Sequence, residues 1–166
     1  METKFKKLME KEKAVIFDLD LTTLYHTNRS PFDWSDLSGD VLIKSVGELM
    51  QSLAMQGYMI LLVTGRPERV RPQTEAWLIE KLEDGGLLYD DEYKLFMKQG
   101  IDYTKSYLSK EATLKKLQEE YDILMAFDDD NRCAEMYVRN GIITMMPMNY
   151  KVPPKKVQQE LEFPKE

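Results

Sequence analysis

The chain is predicted to fold as an α/β protein with a doubly wound, parallel, five-stranded sheet. Short apolar runs bounded by polar residues alternate with segments whose apolar residues recur at helical spacing. The first run, Ala14-Val15-Ile16-Phe17, ends abruptly in Asp18-Leu19-Asp20. A later one, Ile123 to Phe127, ends in Asp128-Asp129-Asp130. In open α/β sheets the ligand crevice lies beyond the carboxyl ends of the strands, so both acidic clusters are expected at one rim.

Composition sets the bounds. A chain of 166 residues fits one domain and can bury a full core without disulfides or a structural metal. Cys133 is the single cysteine, so an intrachain disulfide and a cysteine metal cluster are excluded; this usage fits a reducing, cytoplasmic setting. Met1 to Lys13 is charged and carries no signal-peptide pattern, and no apolar run reaches membrane-spanning length, so no membrane partner is expected. The net charge of −6 argues against a broad nucleic-acid-binding face, but less against recognition of a strand end by a few local cations.

Residues 1–12, rich in Lys and Glu, are read as a short helical or frayed lead-in. Residues 14–18 form the first strand. Residues 24–38, with Asn28, Ser30, Pro31 and Asp33, read as a long loop, and His26 as a loop residue. A helix is expected over Asp40–Gln56, where Leu42, Val46, Leu49, Met50 and Leu53 share one face and Gly57 suits the C-terminal cap.

Residues 58–63 are the second strand, ending in Thr64-Gly65-Arg66-Pro67, with Pro67 expected in the first turn of a helix that runs through Trp77 to about Leu82. Trp77 and the many methionines read as core filler. Arg69 and Arg71 read as solvated, or as contacts to a nucleic-acid backbone. The third strand is placed at Lys94–Lys98. Ser109 is expected to cap a helix ending at Tyr121. Residues 122–127 form the fourth strand, Arg132–Arg139 a short helix, and Ile142–Met146 the fifth strand. Prolines 147, 153 and 154 stop regular structure, and 151–166 is read as a tail. No internal repeat, P-loop or dinucleotide fingerprint is present.

A parallel sheet gathers the strand ends. Asp18, Asp20, Asp128 and Asp129, the Thr64 hydroxyl, and an ammonium from Lys98 or Lys110 would then share one edge. Close carboxylates repel unless a cation separates them, and a hard cation such as Mg2+ suits oxygen ligands. Such a set can hold Mg2+ and a phosphoryl group while one carboxylate attacks phosphorus.

The order of these residues resembles the haloacid dehalogenase superfamily of phosphotransferases. Asp18-Leu19-Asp20-Leu21-Thr22 is similar to its D-x-D-x-[TV] first motif and Val63-Thr64-Gly65 to its second. Lys110 stands as its third-motif lysine, with Lys98 and Lys105 as alternatives, and Asp128-Asp129 as its fourth. A closer likeness covers most of 13–148. Lys13 to Asp18, Asn28-Arg29-Ser30-Pro31-Phe32-Asp33, Gly65-Arg66 and Glu135-Met136-Tyr137 resemble the phosphatase domain of phage-type polynucleotide kinase/phosphatases.

The resemblance implies a domain over 13–150 and a Mg2+-dependent phosphatase removing 3′-phosphates from DNA or RNA ends. Asp18 would be the nucleophile and Asp20 the acid and base. Asp18, Asp20 (through its carbonyl), Asp128 and Asp129 would hold the metal. Thr64 and Lys110 would bind phosphate oxygens, Arg29 and Arg66 would offer forked donors, and Thr22, Gly65 and Lys98 would complete the substrate site. The departures are Leu21 for a glycine, Lys98 for an arginine, Ser106 for an acid and Asp130 for an arginine. No kinase half is present, so a separate kinase or ligase partner is conceivable.

The gaps between motifs leave no room for a large cap domain, so an open site is expected, which suits a strand end. A small-molecule or nucleotide phosphatase shares the same residues, and a phosphoaspartate receiver-like module is the non-catalytic alternative.

Overall fold

β1 (Glu12–Phe17) is the centre of the sheet. It pairs in parallel with β4 (Met59–Pro67), from Ala14↔Met59 to Phe17↔Leu62, and with β6 (Tyr121–Phe127), closing at Phe17↔Phe127. β5 (Tyr93–Lys98) flanks β4 and β7 (Ile143–Met145) flanks β6, giving the order β5-β4-β1-β6-β7, all parallel. The computed structural model describes residues 11–27, 29–30, 32–100 and 104–147. The lead-in assigned to 1–12, save Lys11 and Glu12, and the tail assigned to 151–166 lie outside the described residues.

β1 is buried on both faces because alternate side chains serve two cores. Ala14 and Ile16 pack with Leu61, Leu114, Leu117, Met136 and Tyr137; Val15 and Phe17 pack with Leu62, Met50, Trp77 and Leu78. The helices α1 (Lys44–Met55) and α2 (Arg71–Leu78) therefore cover one face, and α3 (Ser106–Glu120) and α4 (Asn131–Arg139) the other. Each fully buried aliphatic or Phe side chain contributes about 1.5–3 kcal/mol. Phe17 and Phe127 stack at 4.6 Å across the β1–β6 pair, fixing the two strand ends that carry acid.

Several elements differ from the sequence expectation. Residues 24–38 are not all loop. β2 (Leu24–His26) pairs antiparallel with β3 (Asp40–Leu42), forming a two-stranded ribbon between β1 and α1. Asp40 is thus a strand residue, and the helix expected from Asp40 begins at Lys44, after Ile43. Apolar spacing alone could not separate the strand residue Leu42 from the helix that follows.

β4 runs past residue 63 to Pro67, so Thr64, Gly65 and Arg66 lie on the strand and Pro67 closes it. Pro67 is not in a helical turn: its ψ of 150° is extended, and a 3-10 turn over Glu68–Val70 follows. Pro72 occupies the helix start instead. A π-helical turn, Ile79–Glu83, ends that segment. Ser109 lies inside α3, which starts at Ser106.

Candidate active site

The chain runs from β1 outward to β4 and β5 and then crosses to β6 and β7 on the other side of β1, so a crevice opens at the carboxyl ends of β1 and β6, where the strand order reverses. Asp18 follows β1 directly, its amide donating to the Phe127 carbonyl at 2.9 Å. Asp128 follows β6, and its amide donates to the Met145 carbonyl at 3.2 Å. These backbone bonds set the two carboxylates side by side.

Lys110 enters from α3 between them. Its Nζ donates to Asp18 Oδ1 at 2.7 Å and to Asp128 Oδ2 at 2.6 Å, and all three residues are buried. Asp128 Oδ1 accepts the Asp130 amide at 3.1 Å. Thr22 Oγ1 lies 3.5 Å from Asp129 Oδ1, and Thr23 Oγ1 donates to the Asp18 carbonyl at 2.6 Å. Thr64 is buried and its hydroxyl accepts the Arg66 amide at 3.2 Å. Gly65 faces Ser106: a Cβ there would lie 2.7 Å from Ser106 Oγ, so a larger residue would have to turn that hydroxyl aside at the start of α3.

Charge is unbalanced in this group. Burial pushes the Asp18 carboxyl well above the usual carboxylate range; Lys110 opposes the shift, while Asp128, Asp20 and Asp129 add to it. Burial and Asp128 raise Asp129 to about 6. Burial disfavours the Lys110 ammonium, but Asp128 and Asp18 outweigh it and its pKa rises well above the ordinary lysine value. One ammonium thus faces three carboxylates, whose ligand atoms lie within 4.8 Å of one another. This all-oxygen donor set with surplus negative charge fits a hard divalent cation.

A second cluster adjoins it. Arg66 Nε and Nη2 donate to Asp20 Oδ2 and Oδ1 at 2.8 and 2.7 Å; Arg29 Nη2 donates to Oδ1 at 2.9 Å, and His26 Nε2 lies 2.6 Å from the same oxygen. Asp40, buried on β3, receives Arg29 Nε at 2.8 Å, Arg29 Nη2 at 2.7 Å and Arg66 Nη2 at 3.0 Å. Its backbone carbonyl accepts Trp77 Nε1 at 3.0 Å, so Trp77 anchors β3 as well as filling the core. Burial alone would raise the Asp20 carboxyl, but the hydrogen bonds from Arg66 and His26 hold it well below the ordinary range. Asp20, His26 and Asp40 are close enough together to resemble a metal site, yet two guanidinium groups already supply the positive charge there.

The expected residues are therefore sorted into two groups. Asp18, Thr22, Lys110, Asp128 and Asp129 surround the surplus charge; Asp20, Arg29 and Arg66 form the arginine–carboxylate cluster. Arg66 is buried, and its donors go to Asp20, Asp40 and Thr74. Lys98 lines the same cleft and donates to the Thr104 carbonyl at 3.2 Å; Lys105 lines the cleft as well. His26 is a strand residue touching Asp20, not a loop residue. Arg71 pairs with Glu68 and Glu75, and Arg69 stands 5.8 Å over the Trp34 ring.

Sequence reasoning missed Asp40 and Thr23. The only sequence signal for Asp40 was an acid just ahead of an apolar periodic segment, which reads as a helix start. The cleft has a volume of about 410 Å³, and its rim carries Leu21, Phe32, Trp34 and Arg132. No helix among the described residues is long and apolar enough to cross a membrane.

The chain is similar to known proteins. Residues 12–149 match the family described as the polynucleotide kinase PNKP phosphatase domain. A chain in the structure of the Pnkp1/Rnl/Hen1 RNA repair complex is 29% identical, with a TM-score of 0.71, over 82% of this chain and 42% of that one. A chain of a second Pnkp1/Rnl/Hen1 complex is also 29% identical, with a TM-score of 0.71, over 84% of this chain and 47% of its own length. This chain spans less than half the length of either.

Proposed function

Because the chain belongs to the polynucleotide kinase PNKP phosphatase domain family, and is thereby a phosphoric monoester hydrolase, we propose that it removes 3′-phosphates from DNA or RNA ends through a phosphoaspartate on Asp18. The observation that carries this reading is the Asp18–Lys110–Asp128 bridge on the floor of an open cleft. A buried Asp18 carboxylate beside a fixed ammonium, with a second carboxylate held separately nearby, supports Asp18 as the nucleophile.

In the first half-reaction an Asp18 oxygen attacks phosphorus, the bond from phosphorus to the 3′ oxygen breaks, and that oxygen takes a proton from solvent relayed by Asp20. In the second, Asp20 takes a proton from water, the water oxygen attacks phosphorus, and the acyl-phosphate bond breaks to restore Asp18. Lys110 and Thr64 stabilise the non-bridging oxygens, and Asp40 holds Arg29 and Arg66 against Asp20. Asp18, Asp128 and Asp129 would hold Mg2+, which when bound offsets the charge gathered by carboxylates and phosphate.

The rim supports a polynucleotide rather than a metabolite. Among the described residues the insertion between β1 and α1 forms a short ribbon and no large cap, and Phe32 is 83% exposed beside the cleft, where a base can stack. The likeness to chains of an RNA repair complex supports action alongside partner enzymes, such as a separate kinase or ligase.

The test compares phosphate release from a 3′-phosphorylated oligonucleotide, a nucleoside 3′-monophosphate and an aryl phosphate. The oligonucleotide is expected to give the highest kcat/KM, declining as salt rises. Asp18→Asn is expected to keep the fold and abolish turnover on all three. Equal kcat/KM for oligonucleotide and mononucleotide at low salt would favour the small-molecule reading. Near-normal turnover by a folded Asp18→Asn protein would remove the phosphoaspartate.

A further inference from the structure

We propose that Leu21 and Phe32 form an apolar wall for the leaving nucleoside, Leu21 against its sugar and Phe32 against its base. The inference rests on the reading above that a nucleoside 3′ oxygen is the leaving group, and it names the part of the end that the cleft selects.

Leu21 is an outlier that folding does not explain. Its φ of 63° lies in the left-handed region, which glycine enters freely and leucine only under strain. Core packing does not offset that strain. Leu19 and Leu24 on either side are fully buried in the core beneath α1 and α2, whereas Leu21 is half-buried and belongs to neither core. Its side chain lines the cleft instead. Backbone strain that packing does not offset points to use by a site.

Chain order says what Leu21 can touch. It directly follows Asp20, the residue that serves the leaving 3′ oxygen, and both line the same cleft. That oxygen is bonded to the sugar, so the sugar is the part of the substrate within reach of the next side chain. A leucine there covers the C–H face of a pentose; a glycine covers nothing.

Phe32 continues the wall. It is exposed on the same cleft and belongs to neither core. An exposed ring by itself is ordinary, but this one is braced. It meets Trp34 edge-on, with centroids 6.4 Å apart and planes at 89°, and the Arg69 guanidinium stands over the Trp34 ring. The backbone between the two rings is held as well: the Asp33 carbonyl accepts Arg29 Nη1 at 3.1 Å, and the same guanidinium grips Asp20. Among the described residues the buried Trp34 Nε1 has no hydrogen-bond partner, so the indole serves through its ring. A braced ring with an open face accepts any base, because every base has a π-face.

The experiment measures kcat and KM on one oligonucleotide with three 3′-phosphorylated ends: a natural nucleotide, an abasic sugar and a propanediol spacer. A nucleoside 3′-monophosphate is the fourth substrate. Wild type, Leu21→Gly, Leu21→Met and Phe32→Ala are compared, each with a denaturant unfolding curve. Wild type is expected to prefer the natural end, then the abasic one, then the spacer. Leu21→Gly is expected to lose about 5–30-fold in kcat/KM on the natural and abasic ends, chiefly through KM, the scale for losing part of one leucine contact. On the spacer its loss is expected to shrink below about 3-fold, and its unfolding curve to show no loss of stability. Leu21→Met keeps an apolar side chain and is expected to retain most of the rate. Phe32→Ala is expected to lose about 5–100-fold on the natural end, the range for one base–aromatic stack, and little once the base is gone.

A Leu21→Gly loss equal on all three ends would make Leu21 a backbone element only and overturn its assignment. No loss on any end, or Met as slow as Gly, would do the same. A Phe32→Ala loss that persists on the abasic end would remove the base from Phe32. The polynucleotide reading fails separately. If the mononucleotide matches the oligonucleotide while the losses still follow sugar and base, that reading falls and the wall stands as one for a nucleotide. If the oligonucleotide is preferred and the variants are blind to its end, the reading stands and the wall falls.

Discussion

Leu21 has a φ of 63°, in the left-handed region that an L side chain occupies at a cost of about 1–2 kcal/mol. The turn demands it: the Leu21 amide donates to the Leu24 carbonyl at 2.8 Å, and the Thr22, Thr23 and Leu24 amides all converge on the Leu19 carbonyl. This tight reversal brings Thr22 and Thr23 back toward Asp129 and Asp18. The position where related phosphatases carry glycine is thus a backbone requirement, and this chain meets it with strain. Leu21→Gly is expected to be neutral or stabilising by up to about 1 kcal/mol, the relief being partly offset by the extra freedom of an unfolded glycine. Leu21→Val is expected to destabilise, since a β-branched side chain tolerates this region least. Chemical denaturation of the two variants checks this; a Val variant as stable as the Gly variant would show that the turn is not strained.

At the scale of elements, the ends of β1 and β6 hold charge that the fold itself disfavours. An ordinary aspartate ionises near 3.8 and Asp129 at about 6 in the folded protein. Between those values the folded chain binds more protons than the unfolded chain, so this group's contribution to stability falls as pH rises through that window. A cation bound by Asp18, Asp128 and Asp129 reverses the penalty. Mg2+ is therefore expected to raise the Tm, and to raise it more at about pH 7.5 than at about pH 5, where Asp129 keeps its proton. Thermal scans with and without Mg2+ measure this directly, with Asp128→Asn as the control that loses the effect. No rise at the higher pH, or a larger one at the lower, would remove the cation from this site.

The same elements show what could be read in advance. β1 and β6 were legible because their side chains are apolar runs bounded by charge, and the gathering of the acids at their ends followed from the topology. β2 and β3 were not. Each is three residues long, too short for a periodic signal, and their polar residues His26 and Asp40 pair with Asp20, Arg29 and Arg66 rather than packing in a core. The extension of β4 to Pro67 was hidden because Gly65 and Pro67, one residue apart, read as a turn. Arg66 was legible as a residue but not as a buried one, since only the distant partners Asp20, Asp40 and Thr74 make its burial possible.

Across the whole molecule, the ribbon is joined to the sheet by an array of two guanidinium and two carboxylate groups, of which Arg66 and Asp40 are buried. Removing one member of such a pairing costs about 3–5 kcal/mol, because it leaves an uncompensated charge inside. The β2–β3 amides are therefore expected to exchange with solvent only when the central sheet does. Native-state hydrogen exchange over a denaturant series measures this: ribbon and β1 amides should merge on one denaturant-dependent isotherm, and Asp40→Asn should split them. Ribbon amides of the unmodified protein that exchange early and independently of denaturant would contradict the coupling. Its consequence is kinetic. With the described part of the ribbon fastened at Asp20, Asp40 and Arg66, this side of the entrance is expected to stand open before any ligand arrives. Capture is then governed by how often and how well oriented an end collides with the cleft, and not by waiting for a door to swing.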